Sequence, residues 1–140
     1  MVAFNKFQNA VENILSGVHD FRSAGNQIEV YLSNATPSAS ADAVKADLAE
    51  IGTGNGYTGP EDTANNMTET GGTATVTGTD VVITASGGAI NTFRYVVYFD
   101  TTPTSPLDPL IGWWDNGSTV DLADGESFTV DFGASVATLA

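Results

Sequence analysis

The chain has 140 residues, 41% of them hydrophobic and 15% charged, with no cysteine and a formal net charge of −13 from 4 Lys+Arg against 17 Asp+Glu. One domain with a real core is the expectation at this length, and the apolar content excludes a disordered chain. The missing cysteines exclude a disulfide framework and a thiolate metal site, and the acidic excess repels phosphate backbones, so nucleic acid is not an expected partner.

Phe4 to Val18 carries the clearest helical period. Phe4, Phe7, Val11, Ile14, Leu15 and Val18 form one stripe, amides and charges fill the other side, and Gly17 offers a stop. The same segment has one lysine and no continuous apolar stretch, so it does not read as a signal peptide. Nor does any apolar run approach the roughly 20 residues that span a bilayer, and no membrane partner is expected.

Gln27–Ser33 alternates as a half-buried strand, with Ile28, Val30 and Leu32 on one face. Residues 34–42 read as loop. In Ala43–Ile51 the spacing of Val44, Leu48 and Ile51 predicts about two helical turns, with Ser40 or Asp42 as cap. Residues 52–66 are the least apolar part, expected to be an exposed polar loop anchored by Tyr57 alone. Thr73–Thr77 and Asp80–Ala85 read as strands turning through Gly78-Thr79, and Ser86-Gly87-Gly88 makes the next turn.

The most apolar stretch is Phe93 to Gly117, FRYVVYFDTTPTSPLDPLIGWWDNG. Phe93, Tyr95, Val97 and Phe99 alternate with Arg94, Val96 and Tyr98, so large side chains stand on both faces, as in a strand covered on each side. A Pro/Asp/Thr loop leads to a second strand at Leu110–Trp114, followed by a turn at Asp115-Asn116-Gly117. Ser118–Leu122 and Ser127–Phe132 then read as a final hairpin, with Phe128, Val130 and Phe132 on one face. Together these elements predict a single domain, residues 1–140, of mainly β (α+β) class. Residues 1–20 supply an N-terminal amphipathic helix, and residues 27–140 an antiparallel β-sandwich.

Chemistry is sparse. Gly54-Asn55-Gly56-Tyr57-Thr58-Gly59 spells GxGxxG, but Pro60, Glu61 and Asp62 follow where the dinucleotide fingerprint needs a helix N-terminus. His19, the one histidine, adjoins Asp20 but has no nucleophile to serve, and a histidine past a helix end more often caps or packs. Asp115, Asn116, Asp121, Asp124 and Glu126 suit Ca²⁺ by type, but lack the EF-hand order and are also turn formers. No residue is therefore assigned a catalytic, cofactor-binding or metal-ligating role, and an enzyme is not expected. Adjacent Trp113 and Trp114 point to opposite faces of a strand, one into the core and one toward a partner or a sugar. Phe4, Phe7, Tyr57, Tyr98, Trp113 and Trp114 are the candidate interface residues.

Taken together, FNKFQNAVENILSGVHD, IEVYLSNATP, DLAEIGTGNGYTG, FRYVVYFDTTPTSPLDPLIGWWDNG and GESFTVDFG resemble a family of small structural proteins of tailed-bacteriophage virions. The resemblance spans most of the chain and is weakest over residues 60–70. It implies a capsid decoration, or cement, protein on the outer surface of the head, bridging neighbouring major capsid proteins, often as a homotrimer. A tail, neck or fibre component and a carbohydrate-binding module are the alternatives. A surplus of apolar surface over what one core hides independently predicts a homo-oligomer.

Overall fold

In the computed structural model, which describes residues 2–140, alternation and turn chemistry have produced ten strands and one short α-helix, all strand pairs antiparallel. The strands are β1 (Phe4–Lys6), β2 (Ile28–Ser33), β3 (Glu61–Asp62), β4 (Asn66–Thr70), β5 (Thr73–Thr77), β6 (Val81–Thr84), β7 (Phe93–Asp100), β8 (Leu110–Val120), β9 (Ser127–Val130) and β10 (Ala137–Leu139). The helix α1 is Gln8–Leu15. The mainly β, antiparallel class expected from the sequence is the class adopted. By hydrogen bonding the strands fall into three sheets: β1-β8-β7-β2-β3, β10-β5-β4 and β6-β9.

β7 lies in the middle of the largest sheet, between β8 and β2. On one face Val96 and Tyr98 join Ile28, Val30, Leu32 and Trp114 of the same sheet, together with Val81, Ile83, Val130 and Phe132 from the β6–β9 region. On the other, Val97 and Phe99 pack with Phe7, Tyr31, Leu48 and Leu110. Both faces are covered, as large side chains on both faces require. Phe93 departs from the predicted alternation. A register shift between Phe93 and Tyr95 turns it into the Tyr98 cluster, away from Val97 and Phe99. The same irregularity absorbs the Asp115-Asn116-Gly117 turn signal. β8 does not reverse there but continues to Val120, which pairs with Phe93.

Five further expectations are corrected. The Phe4–Val18 helix is shorter, because Phe4–Lys6 pairs with Gly112–Trp114 as β1. Helical and extended backbone both bury Phe4 and Phe7, and the open edge of β8 decides for the strand. Gly17 is the predicted stop: at φ +77° it lets its own N–H and that of Val18 bond back to Ile14 and Asn13 carbonyls. Ala43–Ile51 forms only a 3-10 turn at Lys45–Asp47, where Asp47 accepts hydrogen bonds from the Ala43 and Val44 amides. β5 does not turn back on β6, and Ser118–Leu122 does not pair with Ser127–Phe132. β5 pairs with β4 and β10, while β6 pairs with β9.

The fourth correction concerns residues 52–66, predicted exposed apart from Tyr57. Tyr57, Thr63 and Asn65 are all buried. The segment has too few apolar residues to form a core, but it satisfies the edge of β2, which would otherwise expose unpaired backbone. Thr63 donates from both its backbone N–H and its hydroxyl to the Ile28 carbonyl, and the Asn65 side-chain oxygen accepts from the Ile28 N–H at 3.1 Å. Likewise β2 is enclosed on both faces, not half-buried: Tyr31 and Ser33 are as hidden as Ile28 and Leu32.

β1 lies so close to β8 that Gly112 has no room for a side chain. A methyl group there would run into the Phe4 ring and the Asn5 carbonyl. Gly112→Ala is accordingly expected to lift β1 from the sheet and cost about 2 kcal/mol. Urea unfolding gives the loss, and tryptophan emission shifts to the red as Phe4 leaves the Trp114 ring, now 5.0 Å away between centroids.

Candidate functional site

Two polar clusters, one buried and one half-buried, hold the side chains with most chemical potential. The first joins the chain after α1 to the end of β7. His19 does not pair with its neighbour Asp20, which binds Arg22 instead. That contact holds the half-buried Asp20 carboxyl down at about 2, chiefly through the Arg22 side-chain hydrogen bond. His19 Nδ1 lies 2.9 Å from Oδ2 of Asp100, 81 positions away, and both side chains are fully enclosed. Asn26 donates to the same Oδ2 at 2.8 Å and to the Val18 carbonyl at 2.7 Å, while the Thr102 N–H donates to Oδ1. The other ring nitrogen of His19 is buried without a partner. A general base needs a free nitrogen within reach of a substrate proton. Here that nitrogen is sealed inside the fold, so the geometry suits tethering residues 18–26 to β7.

The second cluster centres on Glu50. Oε1 accepts a 2.6 Å hydrogen bond from the Tyr57 hydroxyl, which itself accepts from the Leu32 N–H at 3.1 Å. Oε2 accepts from Lys45 at 2.6 Å, and the Lys45 ammonium lies 4.9 Å from the Tyr31 ring centre. Burial first, then the hydrogen bond to Glu50, pushes the Tyr57 phenol far up, so it stays a hydrogen-bond donor. Burial, with the nearby Glu50 carboxylate, does the same for Tyr31, whose hydroxyl donates to the Leu48 carbonyl. These groups pin the segment after the 3-10 turn over β2.

The GxGxxG segment is a tight turn. Gly54 and Tyr57 bridge each other, and a side chain at Gly56 would strike the Thr84 carbonyl. The acidic turn residues have local duties. Asp115 forms two hydrogen bonds with Arg94, which hold its carboxyl below the ordinary range. Asp121 takes the Thr92 hydroxyl, Asp124 the Gly87 N–H and Glu126 the Ala123 N–H. Among the described residues, no group of three or more His, Cys, Asp or Glu is placed to hold a metal ion.

Four of the six candidate interface residues do not lie on the free surface. Phe7, Tyr57, Tyr98 and Trp114 are buried within the subunit. Trp114 packs on Phe4, Tyr98 and Phe132, because β8 pairs with β1 and β7 and draws it inward. Phe4 and Trp113 are half-buried, with the Trp113 ring tilted against Phe7 at 4.6 Å between centroids. With Tyr57 inside the core, the stacking platform that a carbohydrate-binding role would need does not form around it. The exposed apolar side chains are others. Val11, Ile14 and Leu15 stand on α1, with Val2, Val82, Leu107 and Leu139 elsewhere. The Val11–Leu15 stripe is legible in the sequence, but its exposure is not, since an amphipathic period does not say what covers it. A polar cleft of about 380 Å³ between residues 23–27 and 62–65 is lined by Ser23, Asn26, Gln27, Asp62 and Asn65, without an aromatic side chain.

No protein-family model, curated protein or solved structure matches the chain.

Replacing Asp100 by Ala would strand donors from His19, Asn26 and Thr102 in the interior, so a loss on the order of 3 kcal/mol is expected in urea unfolding. A second prediction concerns Glu29, set opposite Asp62 across the β2–β3 pair. Partial burial, and then the Asp62, Glu61 and Asp108 carboxylates, raise Glu29 above the usual glutamate range, against a lowering hydrogen bond from Gln27. The folded chain thus holds a proton that the unfolded chain has released, so stability falls as pH rises through the window above the ordinary value of 4.5. Glu29→Gln is expected to stabilise the protein at neutral pH by under about 1 kcal/mol, with the gain gone below about pH 4. Urea midpoints of both chains on either side of that window give the comparison.

Proposed function

We propose that this chain is a non-enzymatic structural protein of a tailed-bacteriophage virion, a cement protein that decorates the outer face of the capsid and bridges major capsid proteins as a homotrimer. The observation that carries the structural part of this reading is the use of its reactive side chains. His19, Asp100, Glu50, Tyr57 and Lys45 are joined to one another or to backbone groups within the fold. The phage capsid part rests on the segments that resemble virion proteins. The charge fits: a subunit at −13, repeated over a particle surface, keeps particles apart in solution.

Adding the purified protein to phage heads assembled without it, followed by cryo-electron microscopy, tests the reading. Density for the chain on the outer shell, three copies about a three-fold position, is the expected outcome. Bare shells, or density confined to the tail, would overturn it.

A further inference from the structure

α1 is seated at one end only. Phe7, just before it, and Ala10 in its first turn are buried, with Phe7 against Trp113 of β8. Beyond Ala10 every residue of the helix but Asn13 is exposed. Val11, Ile14 and Leu15 are 43%, 38% and 82% exposed. Spaced three and four apart, they form one apolar face. A strip of this kind on an isolated subunit needs a cover.

The charge distribution says which cover fits. Up to His19, Lys6 and Glu12 are the only residues among Asp, Glu, Lys and Arg, and they cancel, so the whole of the −13 is carried by residues 20–140. A basic partner would be drawn to that acidic remainder and away from this face. A partner as acidic as the chain itself is repelled by that remainder and approaches most readily at stretches without net charge; of these, residues 81–93 and 132–140 expose Val82 and Leu139 singly, whereas α1 gathers three exposed apolar side chains on one face. The partner that meets this condition and presents a matching apolar strip is a second copy. We propose that the Val11–Ile14–Leu15 face of α1 is the surface through which copies of this chain associate. The proposal names the contact for the homo-oligomer in the reading above, and it stands or falls without the capsid.

The test is sedimentation velocity and light scattering on the full chain, beside Leu15→Asp and Ile14→Asp. These side chains are exposed, and circular dichroism confirms that each variant is folded. The wild type is expected to associate more strongly as salt rises, because screening removes the repulsion between acidic bodies. Each variant is expected to weaken association roughly tenfold or more. A wild type that stays monomeric at high concentration and high salt overturns the proposal. So does an oligomer that both variants leave intact. Binding of the same proteins to undecorated heads separates the two claims. A monomeric wild type that still coats heads removes the self-contact and spares the cement reading. Variants that oligomerise normally but no longer coat heads assign α1 to the shell and overturn the inference.

Discussion

The structure depends on β7 having to be covered twice. Val96 and Tyr98 on one face and Val97 and Phe99 on the other are each 5% exposed or less, which a strand at the surface of a single sheet cannot achieve. Burying side chains of this size contributes roughly 1.5–3 kcal/mol each, so uncovering either face forfeits several of them at once. The rest of the chain is arranged accordingly. β6, β9 and Phe132 close one side; Phe7, Tyr31 and Leu48 close the other. Tyr31 and Leu48 are drawn together by a hydrogen bond and by Lys45 over the ring, so the second cover is fixed in direction as well as apolar.

The polar residues complete what the apolar ones leave open. Asp100 ends β7 inside the protein and gathers His19, Asn26 and Thr102, so the chain leaving α1 is held to the strand it must pass. Thr63 and Asn65 occupy the edge of β2 beyond the two-residue β3, where a longer strand would present a free edge to other molecules. Three of the four basic side chains, Arg22, Lys45 and Arg94, are in ion pairs. Most of the acidic excess therefore faces solvent uncompensated. That makes a subunit resistant to indiscriminate association, and it gives the neutral helix face its significance.

The elements legible in the sequence are those in which side-chain period and final environment agree. β2, β7 and β9 form where alternation places strands, with Phe128, Val130 and Phe132 in one core, though β2 is buried on both faces and Phe93 changes face. What the sequence hides depends on closure of the chain. Gly78-Thr79 has the chemistry of a hairpin turn, yet β9 is a better partner for β6, since it places Phe128 and Val130 beside Ile83 and Val81. Asp115-Asn116-Gly117 also has turn chemistry, and the fold spends it on an irregularity within β8. The His19–Asp100 contact joins residues with no local relation, so no pattern around His19 points to it. For the candidate interface, aromatic content is a sign of hot spots at surfaces and of cores alike. Trp114 and Tyr98 turn out to belong to the core, and the exposed strip is aliphatic.

If β7 is the member on which both cores depend, its amides open only when the whole protein unfolds. Native-state hydrogen exchange in increasing denaturant measures this directly. The amides of Val96 to Phe99 are predicted to share the free energy and denaturant dependence of global unfolding. Those of β4, the more exposed edge strand of its sheet, should exchange through smaller openings that denaturant hardly affects. Exchange of the β7 amides by local opening, at lower free energy than β4, would contradict the account.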